Sequence, residues 1–221
     1  MWGLFSLAIC SLIHTILYVL WHKFTMNYLQ IIRKKLDAIG DVFIEKELLQ
    51  QVLLKFAPKY TIEDVSSKGL ITTLKRGKWY INNRSKQRQN PYKTISLYFW
   101  DDLYMFWGLG VYQRYDFSTQ VIERYTVYNT KISGTRKIGK AKYIFKKARK
   151  NFFYWMTTAK SWTTMYNIMS RERAFMQLLK EWSTFTRLPD GINSTKLKKL
   201  ANTYASKKLY QQVLSLCISK K

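Results

Sequence analysis

The first stretch of the chain is apolar throughout. Residues 1–21 contain no Lys, Arg, Asp or Glu, and about 20 apolar residues at roughly 1.5 Å rise each can cross a hydrocarbon core of about 30 Å. The pattern predicts a transmembrane helix over residues 1–22, with Trp2, Tyr18 and Trp21 as anchors at the membrane interfaces. A cleaved secretory signal is disfavoured because the segment does not open with positive charge. A core helix of a soluble protein stays open as an alternative.

Residues 23–80 are predicted to form juxtamembrane helices and a hairpin. Apolar residues recur at three- and four-residue spacing up to Gly40, which ends the first helix, and again over a second helix at 42–56. Two short β-prone runs then flank Arg76 and Gly77. A glycine there can adopt the positive φ that a two-residue turn requires, so this segment is expected to be a hairpin.

Residues 81–221 are predicted to form a basic, aromatic-rich helical domain. The apolar spacing indicates helices from about Lys140, over 161–185, and from Ser194 onward, where the serine is a candidate N-cap. With the N-terminal span, these elements predict a mainly α fold: a single transmembrane helix followed by a basic helical domain with one small β-hairpin.

Aromatic residues crowd together between Tyr92 and Phe117. Such density is typical of a core, a subunit interface or a base-stacking platform. Between Ile95 and Gln113 there is no Lys or Arg to interleave with the rings, which favours a core or an interface. The residues predicted to form a subunit interface are Tyr98, Phe99, Trp100, Tyr104, Phe106 and Trp107.

The chain has 38 Lys and Arg against 13 Asp and Glu, a formal net charge of +25. Because so few carboxylates are available, the surplus requires a polyanionic partner. It concentrates between Arg124 and Ser170, where there is no acidic residue. These side chains suit an RNA backbone and anionic lipid headgroups equally. The residues predicted to bind the polyanion are Lys131, Arg136, Lys137, Lys140, Lys142, Lys146, Lys147, Arg149 and Lys150.

Residues that could carry out chemistry are sparse. The chain has two His and two Cys, with no phosphate-cradling glycine loop and no nucleophile elbow. Cys10 and His14 share a helix face, but two ligands do not complete a metal site. Asp101 and Asp102 are sequence neighbours and therefore point to different faces. We expect no catalytic activity, cofactor, metal site or small-molecule substrate.

The composition resembles that of proteins encoded by AT-rich protist mitochondrial genomes, those of ciliates especially. Lys is used more heavily than Arg, and Ile, Tyr, Phe and Trp are abundant, as in NFFYWMTTAKSWTTMYNIM at residues 151–169. The resemblance is one of composition over the whole chain. It implies a subunit of a mitochondrial assembly.

Two functions are consistent with these patterns. In the first, the chain is a non-catalytic subunit of a respiratory-chain complex or ATP synthase in the mitochondrial inner membrane. Basic residues after the span place its N-terminus on the intermembrane-space side and its bulk in the matrix, beside other subunits and anionic lipids such as cardiolipin. In the alternative, it is a ribosomal protein of the mitochondrial matrix that binds rRNA through residues 124–160. The unbroken apolar segment favours the first.

Overall fold

The structure, a computed structural model, describes residues 28–161, 164–182 and 185–218. These residues divide into two compact units, unit 1 ending at Gln89 and unit 2 beginning at Asn90. Each unit has a sheet and a hydrophobic core of its own.

The prediction of a mainly α fold was wrong. Helices and β-sheets are combined in both units, and unit 2 is built on a mixed sheet of six strands. Among the described residues, no helix is long and apolar enough to cross a bilayer. The predicted span over residues 1–22, with Trp2, Tyr18 and Trp21, lies outside the described residues.

Unit 1 is a small three-stranded sheet packed against three helices. Its elements are α1 (28–39), β1 (Phe43–Glu45), α2 (Lys46–Phe56), α3 (Ile62–Ser67), β2 (Ile71–Lys75) and β3 (Trp79–Asn82). Strand β3 lies in the middle and is antiparallel to both β1 and β2. Leu49 and Leu53 of α2, four residues apart on one helix face, are buried with Leu36 of α1 and Val65 of α3.

Unit 2 has a six-stranded sheet with helices in between and after it. Its elements are α4 (Pro91–Tyr98), β4 (Tyr104–Trp107), α5 (Leu109–Arg114), β5 (Tyr125–Asn129), β6 (Gly134–Ile138), β7 (Ala141–Lys147), a 3₁₀ turn (Lys150–Phe153), β8 (Met156–Ser161), β9 (Thr164–Met169), α6 (Arg171–Trp182), α7 (Ser194–Tyr204) and α8 (Lys207–Ile218). The strand order is β6-β7-β5-β4-β9-β8. The pairs β5–β7 and β4–β9 are parallel and the other pairs antiparallel.

The core of unit 2 is dominated by aromatic rings. Phe99 beside α4 packs with Tyr104 of β4 and Phe145 of β7, at ring-centroid distances of 5.7 Å to each. Burial raises the pKa of Tyr104 to about 12, so its phenol is protonated at neutral pH. A second apolar cluster joins α6, α7 and α8, with Phe175, Leu200 and Val213 fully buried.

Three of the predicted helices are wrong in type or extent. The segment after Lys140 forms strand β7, because Tyr143 and Phe145 alternate with exposed lysines and point into the core. Where a single helix was predicted at 161–185, the described residues form the end of β8, strand β9 and helix α6. The helix predicted from Ser194 is two helices, α7 and α8, and the cap of α7 is Asn193, whose side chain accepts a hydrogen bond from the Lys196 backbone N–H.

Candidate nucleic-acid interface

The β2–β3 hairpin of unit 1 ends in a basic turn. It is the hairpin predicted at Arg76 and Gly77, and Gly77 has a φ of +75°, which a glycine adopts without a steric penalty. The Lys78 backbone N–H donates to the Lys75 carbonyl at 3.0 Å and closes the turn. Arg76 and Lys78 are exposed and Lys75 is half-buried. The hairpin therefore holds three cationic side chains at its tip.

Helices α2 and α3, joined by residues 57–61, form a compact pair, and Thr61 and Asp64 cap the start of α3. The Thr61 backbone N–H donates to Asp64 Oδ2 at 2.7 Å, and the Asp64 N–H donates to Thr61 Oγ1 at 3.2 Å. The backbone hydrogen bond from Thr61 lowers the pKa of Asp64. The Asp64 carboxylate is thus bound at the start of its own helix. Glu63 and Ser67 of α3, and Lys68 directly after it, are also exposed.

Side chains at the end of β3 and just after it form hydrogen bonds with α1. The side-chain amide of Asn82 donates to the carbonyls of Leu36 and Asp41 at 2.9 and 3.1 Å. Arg84 makes two parallel hydrogen bonds to Asp37, each 3.0 Å long, and the guanidinium lowers the pKa of this carboxyl. Because Asp37 is bound in this way, its charge is locally compensated.

The order and pairing of these elements define a class of fold. A helix, a short strand, a helix pair and a hairpin, with the last strand between the first and second, follow the element order of a winged helix-turn-helix. In helix-turn-helix proteins the second helix of the pair enters the DNA major groove. In the same order, the second helix of the pair in this chain is α3, and the hairpin in the position of the wing is β2–β3. Residues 28–89 carry 13 basic against 6 acidic side chains, so the unit has the charge that a phosphate backbone attracts.

The predicted polyanion-binding residues lie in unit 2, and all nine are exposed. Six of them lie on the edge hairpin formed by β6 and β7. These six are Arg136, Lys137, Lys140, Lys142, Lys146 and Lys147. Lys131 precedes β6, and Arg149 and Lys150 follow β7. The structure therefore brings most of the predicted residues together on one edge of the sheet.

Lys131 and Arg136 have polar partners inside unit 2. The Lys131 ammonium lies 2.6 Å from the Asp102 carboxylate, whose side chain is only 14% exposed. Arg136 donates to the Tyr98 hydroxyl at 3.2 Å. In the described part of the chain no group of three His, Cys, Asp or Glu side chains could hold a metal ion, and the Asp101–Asp102 pair is no exception.

The residues predicted to form a subunit interface are divided by the fold. Phe99, Tyr104 and Phe106 are buried inside unit 2, and Tyr98 and Trp107 pack against the same core. Trp100 is 58% exposed. Their density in the sequence therefore reflects the core of this chain more than a surface.

Sequence reasoning missed a buried arginine at the start of α6. Arg173 is 1% exposed, and its guanidinium carbon lies 3.9 Å from the ring centroid of Tyr154, 4.7 Å from that of Phe152 and 4.9 Å from that of Trp107. It donates to the Tyr154 carbonyl, while its Nε and Nη2 have no hydrogen-bond partner. Burial lowers the pKa of this guanidinium. No local pattern distinguishes it from an ordinary exposed helix arginine.

This chain is similar in fold to a solved structure. Neither a protein-family model nor a curated protein matches it. It is similar in structure to the RV2827C protein from Mycobacterium tuberculosis, with a TM-score of 0.55 and 13% identity over 87% of this chain and 77% of that chain. At this identity the likeness carries the α/β architecture and nothing of function.

Proposed function

We propose that the chain is a non-catalytic protein that binds duplex DNA through unit 1. The observation that carries this proposal is the strand order β1-β3-β2 around the α2–α3 pair, with Arg76 and Lys78 exposed at the wing tip. Helix α3 would lie in the major groove. Its Glu63 and Ser67 are residue types that form hydrogen bonds with base edges. The wing would lie on the phosphate backbone.

The wing is expected to supply a sequence-independent, salt-sensitive share of the affinity. Each phosphate contact contributes a slope of about −0.9 to the dependence of log K on log salt concentration for duplex DNA. The double variant Arg76→Ala/Lys78→Ala should therefore bind a mixed-sequence duplex more weakly and lower that slope by about 1.8. Fluorescence anisotropy of the labelled duplex at about 50 and 200 mM salt measures both quantities.

A matched control removes the same charge elsewhere on unit 1. Arg33 and Lys34 of α1 are exposed and belong neither to the wing nor to α3. Arg33→Ala/Lys34→Ala should leave the salt slope closer to that of the unchanged protein. Equal losses for the two double variants would mean that binding follows net charge alone, and the proposal would then be abandoned.

The sequence-based predictions of a mitochondrial location and of an rRNA partner remain predictions. The rRNA alternative is supported by the exposed basic hairpin β6–β7, since a surface with this charge suits a nucleic acid. Binding of ribosomal RNA that is lost when the Lys142 and Lys146 charges are removed would support that alternative.

A further inference from the structure

One face of the unit 2 sheet combines lysines with aromatic rings. Along β7, Tyr143 and Phe145 are buried while Lys142 and Lys146 are exposed, so the lysines lie on the opposite face of the sheet. On the neighbouring strand β5, Tyr128 is directly opposite Lys146. Side chains in register on paired strands share a face, which places Tyr128 beside these lysines.

The β6 and β4 strands extend this face on both sides. Lys137 of β6 is in register with Lys142. Trp107 of β4 is in register with Thr126, which is two residues from Tyr128 and therefore on the same side. We define the platform face by these five side chains: Lys137, Lys142, Lys146, Tyr128 and Trp107.

The two rings of this face, Tyr128 and Trp107, contact each other and Phe152 of the 3₁₀ turn in tilted arrangements. The Tyr128 and Phe152 ring centroids lie 4.4 Å apart with their planes at 30°. The Trp107 ring is 5.1 Å from Tyr128 and 5.3 Å from Phe152. All three side chains are half-buried. Lys146 Nζ lies 5.6 Å from the centroid of the Tyr128 ring.

A buried arginine, Arg173, contacts Trp107 and the neighbouring Phe152. Its guanidinium contacts Trp107 and Phe152 within 5 Å of their centroids, in the geometry of a cation–π interaction. Because Arg173 is fully buried, the rings are supported by a fixed charge in the core.

The charge of the platform face is of one sign. Its three lysines form no ion pair with the described carboxylates, and the acid-free stretch from Arg124 to Ser170 includes most of the face. Arg149 and Lys150, both exposed, follow β7 directly. A polyanion is therefore the partner that this face complements.

We propose that the platform face binds single-stranded nucleic acid, with lysines on the phosphates and rings against unpaired bases. Sheet surfaces of RNA-binding proteins bind unpaired bases by stacking them on aromatic rings next to basic residues. In a duplex the bases are already stacked internally, so rings on a flat face would add nothing. The platform is thus a second site, separate from the winged helix-turn-helix, and does not depend on it.

The test uses the full chain and labelled oligouridine and oligothymidine of about 12 nucleotides, within the range one binding domain covers. Tyr128→Leu keeps an apolar side chain but removes the ring, and should weaken binding about 5- to 150-fold, the loss that stacking on one base produces. Tyr128→Phe retains the ring and is expected to bind as the unchanged chain. Lys142→Gln/Lys146→Gln should lower the salt slope by about 1.4, because each single-strand phosphate contact contributes about 0.7.

The wing variant Arg76→Ala/Lys78→Ala separates this site from the proposed duplex site. It should retain binding of both oligonucleotides even if it loses the duplex. Preference for oligouridine over oligothymidine would identify RNA as the ligand, and equal affinity would identify single strands of either kind. If Tyr128→Leu binds as well as Tyr128→Phe, or if cardiolipin vesicles bind the face and oligonucleotides do not, the inference is overturned.

Discussion

The buried guanidinium of Arg173 allows a quantitative prediction about unit 2. Two of its donors, Nε and Nη2, have no partner, and each unpaired buried donor costs about 1–3 kcal/mol. Against this stand one hydrogen bond from a charged group, worth about 1.5–3 kcal/mol, and three ring contacts at about 0.5–2 kcal/mol each. The favourable and unfavourable contributions nearly cancel.

Replacing Arg173 by methionine should therefore change the free energy of unfolding by less than about 2 kcal/mol, since methionine fills a similar volume without a charge. Arg173→Ala should cost about 2–5 kcal/mol, because it leaves a cavity under the rings. Because the pKa of Arg173 is lowered on folding, the protonated form costs stability at every pH below that lowered value. Methionine removes this cost.

Urea unfolding followed by far-UV circular dichroism gives both values, with the slope of the transition compared among variants. The pair of substitutions separates charge from volume. If Arg173→Met is as damaging as Arg173→Ala, the guanidinium itself stabilises the fold and the balance above is wrong. If both are neutral, the side chain is not packed as the structure has it.

Two further predictions concern unit 1. Thr61→Ala removes the cap shared with Asp64 and should lower the stability of α3 by about 1 kcal/mol, measured by hydrogen exchange of the α3 amides. Thr73→Ala, on the exposed side of β2, is the control. Equal effects of the two substitutions would refute the role of the cap. Arg84 lowers the pKa of Asp37 in the folded protein. The stability that the ionised Asp37 gives to the fold is therefore fully present above the unfolded pKa of about 3.9, and it is lost as the pH falls through the folded pKa. Asp37→Asn should thus show a smaller drop in urea midpoint between about pH 5 and 3 than the unchanged chain, and identical pH profiles would exclude a role for this pair.

Local signals predicted unit 1 better than unit 2. The hairpin at Arg76 and Gly77 was visible because a glycine between two β-prone runs is a strong local signal for a tight turn. The helix predicted at 42–56 is α2 at 46–56, and the four-residue spacing of Leu49 and Leu53 indicated it. The strand before it was missed, because three residues are too few to show an alternation.

In unit 2 the same apolar residues satisfied two periods. Met165, Ile168 and Met169 fit a helix, while the alternation of Tyr166 and Ile168 fits a strand, and only the pairing with β8 decides between them. In β7, the many lysines obscured the alternation of buried and exposed side chains. The nine basic residues predicted to bind a polyanion are exposed. The ring cluster beside them depends on registers between distant strands, which no local pattern encodes.

The pairing of β4 with β9 has a consequence for how the chain acquires its structure. Phe106 is paired with Ile168, so β4 cannot complete its hydrogen bonds until nearly the whole sheet has been synthesised. The strand pairs of unit 1 are closer in sequence than β4 and β9 are, and they close their loops at a lower entropic cost. During synthesis we expect unit 1 to fold first, while the apolar strands of unit 2 remain exposed and depend on chaperones.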